Sequence, residues 1–254
     1  MNTIEKSSKL YFDNASETYT KNMHIQYEVF TKVLALIDGL PIQSITDIGC
    51  GTGIITRKLH EHFNSQLTTG IDTSTTMIAH ARRHFESDIL KFYQKSALDF
   101  TDQDNADLVF SNATFQWIPD LELLFKNFKS TCNPKTTIAF SMFLPQTYQE
   151  LLSGLRSVID NTITIPAERF KPENQIKEIC QSFFPTATFY NHTITHHYAN
   201  IIELLTIIKR TGSKDSNAPI HFTPQKLKAL ETWFQNTYGK IPATYDVLIG
   251  IITV

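Results

Sequence analysis

The hydrophobic positions of this chain follow two patterns that alternate along the sequence. Short apolar runs predict strands that are buried on both faces, and apolar residues spaced three or four apart predict amphipathic helices. The first helical pattern contains Val29, Val33 and Ile37, and Gly39-Leu40-Pro41 ends it. The predicted strands cover residues 42–46, 67–72, 91–94, 106–112, 136–142, 188–198 and 245–254, and the predicted helices cover residues 25–37, 54–63, 75–85, 121–130, 201–209 and 224–238.

This alternation predicts an α/β fold, a doubly wound, seven-stranded and mostly parallel sheet in a single domain of residues 1–254. Residues 1–40 are expected to form an N-terminal helical cover, and residues 41–145 the first half of the sheet. Residues 146–187 are mostly helical and show no strand alternation, so we interpret them as a helical lid inserted before the sixth strand. Residues 188–254 supply the C-terminal strands and the last two predicted helices.

A glycine-rich turn links the first predicted strand to the helix that follows it. Its sequence is Asp47-Ile48-Gly49-Cys50-Gly51-Thr52-Gly53. Because glycine has no Cβ, the turn can adopt positive φ, and a ligand can approach the free N–H groups of the first helical turn. The dinucleotide pattern G-x-G-x-x-G is not met, since the sixth position counted from Gly49 is Ile54.

Two carboxylates narrow the choice of ligand. Asp47 directly precedes the first glycine turn, where it would repel a pyrophosphate and attract an ammonium group. Asp72 ends the second predicted strand, where an acidic residue can accept hydrogen bonds from two ribose hydroxyls. Together they predict a ligand with a ribose and an amino-acid end. A phosphate-binding loop or a plain strand–helix turn is the alternative.

The composition limits the partners that the protein can have. With 41% hydrophobic and 19% charged residues the chain is typical of a soluble globular protein, and its net charge of -2 argues against nucleic-acid binding. No apolar run reaches the length of a membrane span, and residues 1–11 lack the apolar core of a signal peptide, so we expect a cytoplasmic protein without membrane contact. No metal is expected, because the three cysteines are not spaced like a metal knuckle and His80 and His84 lack a third ligand.

The turn D-x-G-x-G-x-G, followed by a strand that ends in Asp72, resembles motifs I and II of class I S-adenosylmethionine-dependent methyltransferases. The resemblance implies S-adenosylmethionine as cofactor, with S-adenosylhomocysteine as product, and makes residues 41–145 the cofactor-binding half. Tyr19, in the N-terminal cover, is expected to line the pocket, with core packing as the alternative. The expected cofactor-binding residues are Asp47, Gly49, Gly51, Gly53, Asp72, Thr73, Met77, Ser96, Ala97, Asn112 and Phe115.

The turn after the fourth predicted strand, residues 111–120, is expected to face the transferable methyl group, because ligands bind beyond the carboxyl ends of strands in open α/β sheets. Asn112 and Gln116 offer amide groups. Phe115 and Trp117 can wall a water-poor pocket and favour a sulfonium through cation–π attraction. Core packing of Trp117 is the alternative. Earlier in the chain, after the third predicted strand, many relatives carry an acidic residue where this chain has Ser96-Ala97.

Blocks spread over nearly the whole chain resemble, more narrowly, the malonyl-acyl-carrier-protein O-methyltransferases of biotin synthesis. The family pattern K-x-I-G-A is replaced here by Lys209-Arg210-Thr211-Gly212-Ser213, a departure that concerns the substrate contacts. The implied reaction is methylation of the free carboxylate of a malonyl thioester on acyl carrier protein, giving the ester that starts pimeloyl and biotin synthesis. The blocks are residues 12–19, 111–117, 168–170, 205–212 and 244–250.

The resemblance also implies a set of catalytic residues, Tyr19, Gln116 and Arg169. A malonyl carboxylate is ionised at neutral pH and needs no general base, so catalysis would rest on in-line alignment and on the exclusion of water. Arg169 matches an arginine of the family and would bind the carboxylate bidentately. A salt bridge between Arg169 and Glu168 is the alternative.

A carrier protein is acidic, so its docking surface should be basic. Between Lys209 and Lys228 the chain has five cations and one anion, and Lys209 and Arg210 are the expected docking residues. An ordinary solvated face is the alternative. Trp117 and Arg169 complete the expected substrate-binding set, and we expect the enzyme to be a monomer.

Three other functions remain open. A class I methyltransferase acting on a small free carboxylic acid or another small metabolite would keep the same cofactor residues. A nicotinamide-dependent oxidoreductase is disfavoured by Asp47 and Ile54. A non-enzymatic sensor would bind S-adenosylmethionine without transferring its methyl group, and the lid and the aromatic turn argue against it.

Overall fold

The computed structural model of the chain describes residue 19 and residues 22–102, 105–211 and 222–254. Its strands are β1 (Ser44–Ile48), β2 (Leu67–Asp72), β3 (Leu90–Gln94), β4 (Leu108–Ser111), β5 (Thr137–Phe143), β6 (Thr188–Tyr198) and β7 (Ile241–Thr253). Its helices are α1 (His24–Ile37), α2 (Ile54–Phe63), α3 (Thr75–Phe85), α4 (Leu121–Thr131), α5 (Gln149–Val158), α6 (Glu173–Phe183), α7 (Ile201–Arg210) and α8 (Pro224–Tyr238). None of these helices is long and apolar enough to cross a membrane.

The strands form one sheet in the order β3-β2-β1-β4-β5-β7-β6. β7 runs antiparallel to both of its neighbours, and the remaining pairs are parallel. This confirms the predicted α/β fold with a mostly parallel, seven-stranded sheet. β4 and β5 are buried along their whole length, which explains why their sequences are mostly apolar rather than alternating.

Helices cover both faces of the sheet. α1, α2, α5, α7 and α8 contribute to one apolar cluster, and α4 and α6 contribute to a second. Alternate residues of β5 enter the two clusters: Ala139 joins the first, whereas Ile138 and Phe140 join the second. Since successive side chains of a strand point to opposite faces, the two clusters lie on opposite sides of the sheet.

The predicted ends of the elements agree with the structure within two residues, except at the last strand. That strand was expected at residues 245–254, whereas β7 begins at Ile241. The reason is its partner: β6 pairs with β7 over its full length, from Thr188 opposite Ile251 to Tyr198 opposite Ile241. Tertiary pairing of this kind extends a strand beyond what its local sequence indicates.

The predicted lid, residues 146–187, divides into parts with different roles. α6 is an ordinary flanking helix and no lid, because Ile176 and Cys180 are fully buried in the second apolar cluster with residues of α4. α5 buries Leu151 and Leu155 in the first cluster. Only the connection between these two helices remains as a candidate cover of the site. Of the N-terminal cover predicted at residues 1–40, residues 1–18, 20 and 21 lie outside the described residues.

Candidate functional site

The candidate site is a cleft at the carboxyl ends of β1, β2 and β4, where ligands bind in open α/β sheets. A larger chamber of about 820 Å³, open mouth included, reaches Asp72. A smaller chamber of about 330 Å³ reaches Asp47. The chambers adjoin, so one ligand can contact both carboxylates. Four residues line both chambers, namely Tyr19, Gly49, Gly51 and Asn112.

Most of the residues predicted from the sequence lie in this cleft. The larger chamber is lined by Asp72, Thr73, Met77, Ser96, Ala97 and Trp117 in addition to the four shared residues. Six predicted residues line neither chamber: Gly53, Phe115, Gln116, Arg169, Lys209 and Arg210.

The three positions of the turn need glycine for different structural reasons. Gly49 has φ +77°, and a Cβ there would lie 2.3 Å from the side chain of Thr114. Gly51 has φ +52° and open space where its Cβ would be, so its backbone faces the cleft. Gly53 has φ +81°, and its Cβ would lie 2.9 Å from Phe92. Close packing against Phe92 of β3 therefore requires glycine at position 53, and ligand contact at Gly53 stays a prediction.

The carboxylate of Asp72 is held in place by the backbone. Its Oδ2 accepts a hydrogen bond from the N–H of Gly51 at 3.0 Å, and its Oδ1 accepts one from the N–H of Ser74 at 2.8 Å. These two backbone bonds orient the carboxylate of Asp72, which lines the larger chamber. An ionised carboxylate is a hydrogen-bond acceptor, as binding of ribose hydroxyls requires.

Asp47 is almost completely buried, with 2% of its surface exposed. Its Oδ2 accepts a hydrogen bond of 2.6 Å from the hydroxyl of Thr56. Burial raises the pKa of Asp47 to about 7, with a smaller contribution from the charge of Asp72 and an opposing one from Thr56. Two carboxylates that face a single cleft are stabilised by a cation, so this site fits a ligand with a positive charge.

Tyr19 lies between these two carboxylates. Burial raises the pKa of its phenol, and the charges of Asp72 and Asp47 raise it further. The hydroxyl therefore stays protonated at neutral pH, and Tyr19 can donate a hydrogen bond but cannot act as a base.

The amide groups predicted to face a ligand are used within the protein. Asn112 donates from Nδ2 to the carbonyl of Gln26 and accepts at Oδ1 from the hydroxyl of Ser141, both at 2.9 Å. Gln116 donates from Nε2 to the carbonyl of Ala113 at 2.7 Å and accepts from the N–H of Phe143 at 3.3 Å. These bonds fix both side chains: Asn112 lines both chambers of the cleft, and Gln116 ties the turn after β4 to the end of β5. Ligand contact by either residue stays a prediction.

The two aromatic residues of that turn point in different directions. Phe115 is 1% exposed and stacks on Phe140 with ring centroids 5.1 Å apart, so it belongs to the core and does not wall the cleft as predicted. Trp117 lines the larger chamber, and the ring of Phe170 meets its indole edge-on at 5.2 Å. Residues 159–172 thus reach the mouth of the cleft through Phe170.

The predicted cationic residues lie outside the cleft. Arg169 is exposed and directly precedes Phe170, in a short 3-10 turn. Glu168, the partner in the alternative reading of Arg169, pairs with Arg156 at 2.8 Å. Lys209 and Arg210 are exposed in the last turn of α7. The rest of the predicted basic run through residue 221, including Lys214 and Asp215, lies outside the described residues.

Sequence reasoning missed several residues that line the larger chamber. Lys95 and Leu98 flank the predicted pair Ser96-Ala97, and Ile118 and Pro119 follow Trp117 in the same turn. Proximity to predicted residues was the available signal for all four. In the part of the chain that the structure describes, no three histidine, cysteine or acidic side chains come together as a metal site requires.

Comparison with known proteins gives the family. A model described as a methyltransferase domain matches residues 45–135, which contain the glycine turn and both acidic strand ends. Malonyl-[acyl-carrier protein] O-methyltransferase 2 of Ilyobacter polytropus is 30% identical over 231 residues, covering 89% of this chain and 88% of that protein. The chain belongs to the methyltransferase family of this relative. It is an S-adenosylmethionine-dependent O-methyltransferase.

Two further relatives carry the same description. Malonyl-[acyl-carrier protein] O-methyltransferase 1 of Ilyobacter polytropus is 29% identical over 90% of this chain and 85% of its own length. The protein of that name from Bacillus anthracis is 27% identical over 95% of this chain and 94% of its own length. The similarity of this methyltransferase to its relatives therefore extends well beyond the cofactor-binding half.

Solved structures agree with the fold. The YcgJ protein of Bacillus subtilis superposes with a TM-score of 0.60 at 13% identity, covering 89% of this chain and 98% of that one. Phosphoethanolamine N-methyltransferase 2 of Haemonchus contortus, solved with S-adenosylhomocysteine, gives a TM-score of 0.58 at 17% identity, covering 96% of this chain and 59% of that one. The domain match and such cofactor complexes support binding of S-adenosylmethionine by this methyltransferase.

Proposed function

We propose that this protein transfers a methyl group from S-adenosylmethionine to the free carboxylate of a malonyl thioester on acyl carrier protein. The resulting methyl ester would start pimeloyl and biotin synthesis. The observation that carries the proposal is the 30% identity, over nearly nine-tenths of both chains, to a protein of this name. The cleft adds physical support, because its charges and its shape suit the cofactor and an acyl acceptor.

The cofactor residues follow from the two chambers. Asp72, with one oxygen bonded to Gly51 and the other to Ser74, would accept the ribose hydroxyls. Asp47 would bind the ammonium group in the smaller chamber, where burial raises the pKa of its carboxyl to about 7. Thr73, Met77, Ser96 and Ala97 would contact the nucleoside in the larger chamber. When bound there, the cofactor supplies a methyl group on a positively charged sulfur.

The acceptor needs little chemical help from the protein. A malonyl carboxylate is ionised at neutral pH, so no general base has to remove a proton. The oxygen–carbon bond forms as the carbon–sulfur bond breaks, and the two opposite charges cancel. The protein contributes alignment and a dry environment, for which Trp117, Ile118 and Pro119 provide apolar surface. Tyr19, protonated between the two carboxylates, would close the cofactor end of the cleft.

Arg169 is the proposed partner of the malonyl carboxylate. It directly precedes Phe170, whose ring packs on Trp117 at the mouth of the cleft. A guanidinium can bind a carboxylate through two parallel hydrogen bonds, which would fix the acceptor for in-line attack. The side chain of Arg169 is exposed to solvent.

The carrier protein is proposed to dock at the end of α7. Lys209 and Arg210 are exposed in the last helical turn, where cations also interact favourably with the free carbonyl groups. An acidic carrier would be attracted by these charges, mainly through its association rate.

One experiment tests the proposed reaction. The protein is incubated with labelled S-adenosylmethionine and malonyl-acyl carrier protein, and mass spectrometry should find one added methyl on the acyl group. Asp72→Ala should lose this signal through weak cofactor binding. Malonyl-coenzyme A and free malonate serve as parallel acceptors. Absence of methylation on the carrier-bound malonyl group would refute the proposal.

A methyltransferase acting on a small free carboxylic acid is the second candidate. Lys95 favours it, because this cation lines the larger chamber and a small acid could reach it without a carrier. Faster methylation of free malonate than of the carrier-bound thioester in the same experiment would establish this alternative.

A further inference from the structure

Arg156 ties the connection between α5 and α6 to the body of the protein. We call this connection, residues 159–172, the connecting segment. Arg156 lies in the last turn of α5. Its Nε donates a hydrogen bond to the carbonyl of Ile163 at 2.9 Å, and its Nη2 donates one to Oε1 of Glu168 at 2.8 Å. One side chain thus holds two points of the connecting segment.

Glu168 extends this arrangement into the short 3-10 turn Pro166–Arg169. Its second oxygen, Oε2, accepts a hydrogen bond at 3.1 Å from the N–H of Ile165, which begins the turn. At the end of the turn, the N–H of Phe170 donates to the carbonyl of Ala167 at 3.0 Å. The position of Phe170 is therefore set by a turn that Arg156 holds through Glu168.

The middle of the connecting segment is packed into the first apolar cluster. Ile165 and Ala167 are buried there, together with Leu151 and Leu155 of α5. Phe170 is only partly buried and packs against the same cluster. Burial therefore fixes the middle of the segment, whereas the place of Phe170 also depends on the turn that leads to it.

Phe170 brings the connecting segment to the wall of the cleft. Its ring meets the indole of Trp117 edge-on, with ring centroids 5.2 Å apart and ring planes at 86°. Aromatic pairs prefer such edge-to-face geometry, so Phe170 favours one orientation of the indole. Trp117 lines the larger chamber next to Ile118 and Pro119. A chain of contacts thus leads from Arg156 to the apolar part of the cleft wall.

The pair of Arg156 and Glu168 is suited to orient this segment without adding much stability. The two side chains are 39% and 29% exposed, and ion pairs near the surface contribute little to the free energy of unfolding. The planar guanidinium of arginine can donate to a carboxylate and to a carbonyl at once, whereas the ammonium of lysine lacks this fixed fork. The value of the pair therefore lies in geometry.

We propose that Arg156 is a positioning residue of this methyltransferase: through Glu168 and Phe170 it orients Trp117 in the cleft wall and thereby places the methyl acceptor. The inference rests on the proposed function for the place of the acceptor beside Trp117, and it adds the side chains that hold this wall. A misplacement of about 1 Å can slow a reaction about 100-fold, so a small shift of the wall is sufficient.

The kinetic test compares Arg156→Gln, which cannot bridge both points, with Arg156→Lys, which keeps the charge. Lys177→Gln is the matched control, because Lys177 pairs with Glu173 on α6 and the two side chains are 33% and 35% exposed. For each protein, kcat and KM for malonyl-acyl carrier protein, the Kd of S-adenosylhomocysteine and the Tm are measured. Arg156→Gln should lower kcat/KM about 10- to 100-fold, mainly through kcat, and Arg156→Lys should lie between it and the wild type. Cofactor Kd and Tm should stay nearly constant, and Lys177→Gln should match the wild type.

A spectroscopic test observes Trp117 directly and needs no acceptor. The chain has two tryptophans, so incorporated fluorotryptophan gives two fluorine NMR resonances, which Trp233→Phe assigns. In Arg156→Gln the resonance of Trp117 should shift or broaden, while that of Trp233 keeps its position. In Lys177→Gln both resonances should match those of the wild type.

Two results would overturn the inference. The first is an Arg156→Gln protein in which either kcat/KM or the Trp117 resonance equals that of the wild type. The second is a parallel loss of Tm, cofactor affinity and activity with movement of both resonances, which would show a purely structural role. A wild-type protein that does not methylate malonyl-acyl carrier protein would instead refute the proposed function, and the fluorine spectra would still decide whether Arg156 orients Trp117.

Discussion

Replacing Asp47 with asparagine should remove the pH dependence of cofactor binding between pH 5.5 and 8. The wild-type carboxylate is buried, and its pKa is raised to about 7 by burial and by the neighbouring charge of Asp72. An ammonium group binds the ionised form, so cofactor affinity should follow the ionised fraction of Asp47. Asparagine keeps an oxygen that can accept the hydrogen bond from Thr56 but has no charge to titrate.

The size of the expected change in cofactor affinity follows from the pKa of Asp47. With a value of about 7, roughly 3% of Asp47 is ionised at pH 5.5 and roughly 90% at pH 8, so affinity should rise about 30-fold over this range. At pH 7 binding should release about half a proton. The same shift affects the unliganded protein: from the ordinary value of 3.8, it corresponds to about 4 kcal/mol at 1.36 kcal/mol per unit.

The sign of this stability effect is opposite to that of a salt-bridged aspartate. Between pH 4 and 7 the folded protein holds a proton on Asp47 that the unfolded chain has released. The contribution of Asp47 to stability is therefore greatest at low pH and is lost as the pH rises through 7. Unliganded Asp47→Asn should accordingly be more stable than the wild type at pH 8, while binding the cofactor more weakly.

Titration calorimetry with S-adenosylhomocysteine measures the cofactor affinity and the proton release. It gives the Kd at each pH, and measurements in buffers of different ionisation enthalpy give the number of protons released on binding. Asp88→Asn is the matched control, since Asp88 is an exposed carboxylate outside both chambers. It should reproduce the wild-type curve. A wild-type affinity that is flat from pH 5.5 to 8, or an equally steep curve for Asp47→Asn, would refute the assignment of the ammonium group to Asp47.

Three further predictions concern the turn, the acceptor and the carrier. Gly49→Ala should lose at least about 2 kcal/mol of stability in thermal unfolding and bind cofactor poorly, because the added Cβ would lie 2.3 Å from Thr114. Gly39→Ala is the control, because Gly39 has a similar φ of +80° but open space around its Cβ position. The stability that Gly39→Ala loses therefore measures the cost of the positive φ alone. Arg169→Ala should abolish turnover in the methyl-transfer assay while the cofactor Kd stays constant, and unchanged turnover would remove it from the site. Reversing both cations of Lys209-Arg210 to glutamate should weaken carrier binding most at low salt, and equal binding would contradict docking at α7.

The fold and the cofactor end of the site could be predicted because their signals are local. The alternation of strand and helix patterns places Asp47 and Asp72 at the ends of neighbouring parallel strands, and parallel strands present their carboxyl ends at one edge. No long-range information is needed for that step. The open backbone at Gly51 follows equally from the turn itself.

The acceptor end could not be predicted in the same way. Phe115 and Trp117 lie two residues apart in one 3-10 turn, and only the phase of that turn decides that Phe115 enters the core while Trp117 lines the cleft. The need for glycine at position 53 comes from the ring of Phe92 on another strand. Phe170 reaches Trp117 from a segment that is distant in sequence. Such contacts depend on tertiary packing, which no local pattern encodes.

The unpredicted role of Asn112 changes how the N-terminal cover must be understood. α1 is fastened near the cleft by the bond from Asn112 to the carbonyl of Gln26 and, further along, by the pair of Glu28 and His196. Both side chains of the Glu28–His196 pair are more than one-third exposed, so this contact contributes little to stability. The bond of Asn112 is buried, and its loss would leave a polar group unsatisfied. Asn112 therefore holds the start of α1 in place, next to Met23, which lines the smaller chamber together with Asp47.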